Sequence, residues 1–183
     1  MRILGISAFY HDSAAALVIE SRASAEARGA RIIARLTGFA STFEACEPGK
    51  TFPGQAIRSS IRKALDQAGL SPQDVGHVNA HGLSTRLHDQ AEAEAIHEIL
   101  GDVPVTAPKS YFGNLGAGTG AVELLSTIAA FESGIVPRTL NYDRPDPQCP
   151  INVVREPITA RKTALVLNQT LMGQSVALAL SAE

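Results

Sequence analysis

The chain has 183 residues, 45% of them hydrophobic, a formal net charge of −2 and two cysteines. That length is enough for one domain with a sizeable core. The near-neutral charge excludes an electrostatic case for nucleic acid or an anionic membrane surface, and no apolar run approaches the roughly 20 residues needed to span a bilayer.

Cys46 and Cys149 make neither a disulfide framework nor a metal cluster. His77, His88 and His97 form no HExxH-type set, so no metal site is expected. The opening MRILGISAFYHDS has no basic region followed by a long apolar stretch. No secretory signal is therefore expected, and the cytoplasm is the default location.

Along the chain, Met1–Ala16 reads as a strand (RILGIS), a turn at His11–Ser13 and the start of a second strand. On its own, MRILGISAFYHDSAAALV resembles the opening of a carbamoyltransferase, whose phosphate-loop hairpin would place His11 and Asp12 in its turn. Nothing after Glu20 continues that likeness. Ser21–Gly29 holds helix formers stopped by Gly29, and Arg31–Thr42 has the β-branching and length of a long strand. Glu44–Pro53, with Pro48, Gly49 and Pro53, is a loop. Gln55–Ala68 carries Ile57, Ile61, Ala64, Leu65 and Ala68 at helical spacing, with Gly69 as its C-terminal cap. Ser71–Asp74 is a short turn or a helical start, and Val75–Ala80 is a buried strand that delivers His81 at its end.

Asp89–Leu100 reads as a helix stopped by Gly101, and Val103–Thr106 as a short strand. Leu115–Ser133 is small and apolar on most faces, the mark of a buried central helix. Ile135–Ile158 is broken by five prolines and reads as irregular cover. Thr163–Leu167 and Ser175–Leu180 read as adjacent antiparallel strands. The alternation of strands and helices defines an α/β layered fold, a single domain over 1–183 with residues 1–13 as an N-terminal extension.

Two stretches carry chemistry: VNAHGLST (Val78–Thr85) and PKSYFGNLGAGTGAVE (Pro108–Glu123). From Ala14 to Ala182 the chain resembles the C-terminal half of a β-ketoacyl-[acyl-carrier-protein] synthase, a thiolase-like condensing enzyme. AHGLST is close to that family's HGTxT, and KSYFGN to its KSxxGH. The resemblance implies a thiolase-like half-fold, with a mixed five-stranded sheet and buried helices. It implies decarboxylative Claisen condensation in fatty acid or polyketide synthesis, no cofactor, an acyl carrier protein with its phosphopantetheine thioester as partner, and a homo- or heterodimer.

By the same resemblance His81 and Asn114 polarise a thioester carbonyl, and Lys109 pairs with Glu92, with Asp89 also fitting the pattern. Thr85 contacts the pantetheine arm, and Met172 with Gly173 replaces a GFGG-type gating turn within Asn168–Ser175. An imidazole suits this work because it donates a hydrogen bond and titrates near neutrality. Asparagine can donate to an oxyanion but cannot exchange a proton. Leu83 departs from a family threonine. Neither cysteine opens a helix, so the family's nucleophile is missing and the isolated chain is expected to be inactive. Two other readings stand beside this one: a non-catalytic partner subunit of the chain-length-factor kind, and a carbamoyltransferase-type start fused to foreign sequence.

Overall fold

The computed structural model describes residues 2–7, 14–45 and 53–183, with side chains from residue 19 onward. Strands β1 (Arg2–Ser7) and β2 (Ala14–Ile19) precede helix α1 (Arg22–Ala27). Strand β3 (Ala34–Phe43) leads to helix α2 (Gln55–Ala68), and strand β4 (His77–Asn79) to helix α3 (Arg86–Leu100). Strand β5 (Pro104–Thr106), the one-turn helix α4 (Lys109–Phe112) and helix α5 (Thr119–Ser133) follow. Short strands β6 (Ile135–Val136), β7 (Asn152–Val153) and β8 (Ile158–Thr159) come before the long hairpin of β9 (Thr163–Gln169) and β10 (Gln174–Ala182).

The main sheet runs in the order β3-β10-β9-β4-β5-β7. Its first three strands are antiparallel, and β9, β4, β5 and β7 are parallel. The expected five strands are β3, β10, β9, β4 and β5. The two-residue β7 adds a sixth at the edge, inside the proline-broken stretch that reads as irregular.

Side chains alternate across each strand, so the sheet feeds two cores. Leu165 and Leu167 of β9 face one way, with Ile57, Ile61 and Leu65 of α2 and Ile96 of α3. Val166 faces the other way and packs with Leu124 of α5 and Leu180 of β10. Strands buried on both faces read as continuous apolar runs, as ALVL and VALAL do. Helices α2 and α3 therefore form one outer layer, and α5 lies on the opposite face.

Local chemistry sets the ends of the helices. Gly69 closes α2 in the left-handed region at φ 65°. At the other end of α2 the Glu44 carboxylate accepts from Gly54 N at 3.1 Å and Gln55 N at 2.9 Å, satisfying amides that a helix start leaves open. Gly38 of β3 is required by packing, because a Cβ there would overlap the Ala64 carbonyl oxygen of α2. Helix α3 begins at Arg86 rather than the expected Asp89, since Thr85 takes the extended cap conformation and Asp89 lies in the first turn.

Two expectations for α5 are corrected. The helix starts at Thr119, not Leu115, because Gly116 sits at φ 59° and a 3₁₀ turn spans Gly116–Gly118. Only one face is buried, through Thr119, Glu123, Leu124, Thr127 and Ala130, while Val122 and Leu125 are half-buried and Ala129 is exposed. On the same side of the sheet Leu36 and Phe39 of β3 are 48% and 59% exposed, because α5 does not reach that strand.

The opening residues do form an antiparallel hairpin, Arg2 opposite Ile19 through Ser7 opposite Ala14, as a two-stranded sheet of its own. The turn expected at His11–Ser13 lies outside the described residues, as does Cys46.

Candidate active site

Strand β4 ends at Asn79, and two residues later His81 stands at the parallel end of the sheet, 5% exposed. The backbone turns sharply there, with Gly82 at φ 51° and Ser84 at φ 63°. Glu92, on the buried face of α3, holds that turn. Its two carboxylate oxygens accept from His81 N at 2.8 Å and Gly82 N at 2.9 Å. Burial raises the Glu92 carboxyl to about 7, against the lowering effect of the two amides.

Lys109, which opens α4, is buried and makes three hydrogen bonds. Its Nζ donates to His81 O at 2.5 Å, to His81 Nδ1 at 3.1 Å and to Glu123 Oε1 at 2.8 Å. The ion-pair partner is thus Glu123 of α5, and the expected pairing with Glu92 is corrected: both Glu92 oxygens are occupied by backbone amides on the other side of the turn. Glu123 is fully buried, and its second oxygen accepts from Asn168 Nδ2 at 2.9 Å. Asn79 of β4 donates to the Glu123 carbonyl at 2.7 Å and to Thr127 Oγ1 at 3.0 Å, which fixes that turn of α5 to the sheet. Burial raises the Glu123 carboxyl, while the Lys109 hydrogen bond and charge and Asn168 oppose the rise.

These contacts define the state of His81. Burial, then the Lys109 charge and then His88, lower its pKa to about 4, so the ring is neutral near neutrality. An ammonium carries three N–H donors and accepts nothing, so Nδ1 facing Lys109 must be the acceptor nitrogen. The ring proton therefore sits on Nε2, an assignment that follows from the network. The site holds a neutral imidazole whose free nitrogen donates.

The other expected residues are placed less centrally. Asn114 is exposed and lies five residues before α5. Its Oδ1 accepts from Gly116 N and Thr119 Oγ1, both at 3.0 Å. A backbone amide can only donate, so the amide group is oriented and Nδ2 is the outward-facing donor. Thr85 Oγ1 lies 2.8 Å from His88 Nδ1 at the start of α3. Met172 stands at the tip of the β9–β10 hairpin, 77% exposed. Gly173, at φ 90°, lines a small cavity with Leu87, His88 and Ala56. Cys149 is a free thiol in a turn, its pKa raised by burial, and Cys149 N donates to Asp146 O. It opens no helix.

Sequence reasoning missed Glu123 as a site residue and left Asn168 as a motif match only. The signal for Glu123 was present: a lone acid in the apolar run AGTGAVELLSTIAAF, on the helix that follows the lysine. A charge inside an apolar helix face needs a buried partner.

This layering, with a histidine at a strand end clamped by a lysine, is that of a thiolase-like ketosynthase half. The family model of the beta-ketoacyl synthase C-terminal domain matches residues 33–143, and the chain belongs to that family. The tetracenomycin polyketide synthase ketoacyl synthase alpha subunit of Streptomyces glaucescens is 37% identical over 154 residues, which cover 79% of this chain and 36% of that relative. The 3-oxoacyl-[acyl-carrier-protein] synthase 2 of Synechocystis is 37% identical over 143 residues, 75% of this chain and 34% of that protein. The chain thus spans little more than a third of the length of these curated relatives. Among solved structures, the ishigamide ketosynthase/chain length factor superposes with a TM-score of 0.84 at 32% identity, covering 90% of this chain and 41% of that one. The carbamoyltransferase likeness of the opening residues gains no support from these comparisons. Among the described residues no helix is long and apolar enough to cross a membrane.

Proposed function

We propose that this chain supplies the carbonyl-polarising half of a β-ketoacyl synthase site, acting in decarboxylative condensation on a malonyl thioester carried by an acyl carrier protein. The observation that carries the reading is the three-acceptor arrangement of Lys109. It makes His81 a neutral donor with its proton on Nε2. As the malonyl carboxylate leaves as CO2, the electron pair of the broken C–C bond moves onto the thioester carbonyl oxygen. A preorganised donor at that oxygen stabilises the enolate. The enolate carbon then attacks an acyl thioester, forming the new C–C bond and expelling the thiolate. Asn114 contributes Nδ2 as a second donor and takes no proton. The acyl-accepting cysteine comes from a segment outside these residues, so the working site is assembled with it, as is the dimer.

One relative of the same fold, at TM-score 0.83, 33% identical over 90% of this chain, is a type II polyketide ketosynthase solved in complex with its acyl-carrier protein. That supports a carrier protein as the partner here. A specific feature favours a second reading, a non-catalytic partner subunit: Asn114 stands where a proton-exchanging histidine is expected.

The test combines this chain with the N-terminal portion of a related synthase and measures CO2 release from malonyl-carrier protein. Release is expected, and His81→Ala should abolish it. Release that survives His81→Ala refutes the mechanism. A stable complex that releases nothing supports the partner-subunit reading instead.

A further inference from the structure

The donor nitrogen of His81 is fixed by Lys109, and Lys109 is fixed by Glu123. One step further out stands Asn168, which no part of the proposed chemistry uses. It is the penultimate residue of β9, partly buried, with its Nδ2 2.9 Å from Glu123 Oε2. Lys109 already takes Oε1. With Asn168 in place Glu123 is 0% exposed, so Oε2 has no solvent partner. A buried carboxylate oxygen without a donor is costly, and protonation is the cheapest way to relieve it.

We propose that Asn168 is a positioning residue: by holding Glu123 ionised it holds the Lys109 ammonium, and so keeps the His81 proton on Nε2. The chain of dependence is short. With Glu123 protonated, Lys109 loses its counter-ion and with it the contact that holds its ammonium between Glu123 Oε1 and His81 Nδ1. Once the ammonium is no longer held there, His81 Nδ1 is no longer obliged to be the acceptor. The imidazole then divides between its two tautomers, and the outward donor is lost in part of the population. The β9–β10 hairpin thereby feeds into the site through the residue at its base, not through Met172 at its tip.

This inference rests on reading His81 as the donor to a thioester carbonyl, but its test needs no turnover. The full chain is labelled with ¹⁵N-histidine, and the His81 ring nitrogens are assigned by loss of signal in His81→Asn. In the unaltered chain His81 should show one tautomer, Nδ1 unprotonated and Nε2 protonated, across mildly acidic to mildly alkaline buffer. Asn168→Leu removes the donor at similar size. Its His81 signals should move toward a mixed-tautomer average, with the change greatest at the acidic end, where Glu123 binds its proton.

Asn168→Asp places a second acid against Glu123 Oε2, and wherever the two acids share one proton Glu123 carries it for part of the time. It should show mixed tautomers at mildly acidic pH and regain the single-tautomer pattern as the shared proton leaves at alkaline pH. An unchanged His81 spectrum in folded Asn168→Leu overturns the proposal. So does an Asn168→Asp spectrum that matches the unaltered chain at every pH, which keeps the test decisive where the leucine variant does not fold. A complex that is catalytically silent but shows these shifts sinks the proposed function and leaves this inference standing.

Discussion

Replacing Lys109 by Met tests the buried pair directly. The methionine keeps the length and apolar stem of the lysine but removes the charge. Glu123, 0% exposed, then keeps Asn168 as its remaining side-chain donor, and His81 O and Nδ1 lose theirs. Breaking a buried pair by removing one partner costs ~3–5 kcal/mol, because an uncompensated charge is left behind. The pH dependence separates this from simple loss of packing. Glu123 is already raised from its ordinary 4.5 by burial, and losing the lysine, which lowered it, raises it further. A carboxyl whose folded pKa exceeds its unfolded value stabilises the fold fully below the unfolded value and loses that contribution as pH rises through the folded one. The variant should therefore be weakest in alkaline buffer. In mildly acidic buffer, where Glu123 takes up a proton, it should recover part of its deficit. Urea denaturation followed by circular dichroism at both ends of the range measures this. A deficit below ~1 kcal/mol, or one that does not change with pH, refutes the assignment of Glu123 as the partner.

Glu92 predicts a second pH signature. Its folded pKa of about 7 against 4.5 means that its contribution is present below 4.5 and lost as pH climbs to about 7. The stability gap between the unaltered chain and Glu92→Gln should narrow by up to ~3 kcal/mol over that window; a gap that widens contradicts the burial argument. Gly38→Ala forces a Cβ into the Ala64 carbonyl and should destabilise by ~1–3 kcal/mol or more, read as a lowered denaturation midpoint. The open face around Leu36, Phe39 and Val122 should drive association at micromolar concentration. Light scattering that shows a monomer throughout would mean that this face is not adhesive.

The parts of the fold legible in the sequence are those whose signals are local. Helix α2 is read to the residue, because Ile57, Ile61, Ala64 and Leu65 mark one face and Gly69 ends it in a left-handed turn. The β9–β10 hairpin is legible from two apolar runs around a polar turn. Strands β6, β7 and β8 are two residues each, held by partners far away in sequence, and nothing in a proline-broken segment announces them. The apolar residues of α5 read as burial on most faces. Composition records what a helix can bury, not which of its faces the rest of the chain covers.

The site divides along the same line. His81 and Lys109 announce themselves through their motifs, but the choice between Glu92 and Glu123 is a matter of layers. Glu92 belongs to α3, on one face of the sheet, and reaches the backbone of the turn after β4. Glu123 belongs to α5, on the other face, and reaches Lys109. The main chain of His81 is thus gripped from one layer and its ring from the opposite one, with the strand end between them. Exchanging the two acids would require α3 and α5 to exchange faces. The departures from the family pattern, Leu83, Asn114 and the Met172 tip, all lie outside this grip. A chain can therefore keep the clamped imidazole intact while its substrate-facing residues change, which is why the neutral donor, and not the outer motif residues, is the feature on which the functional reading rests.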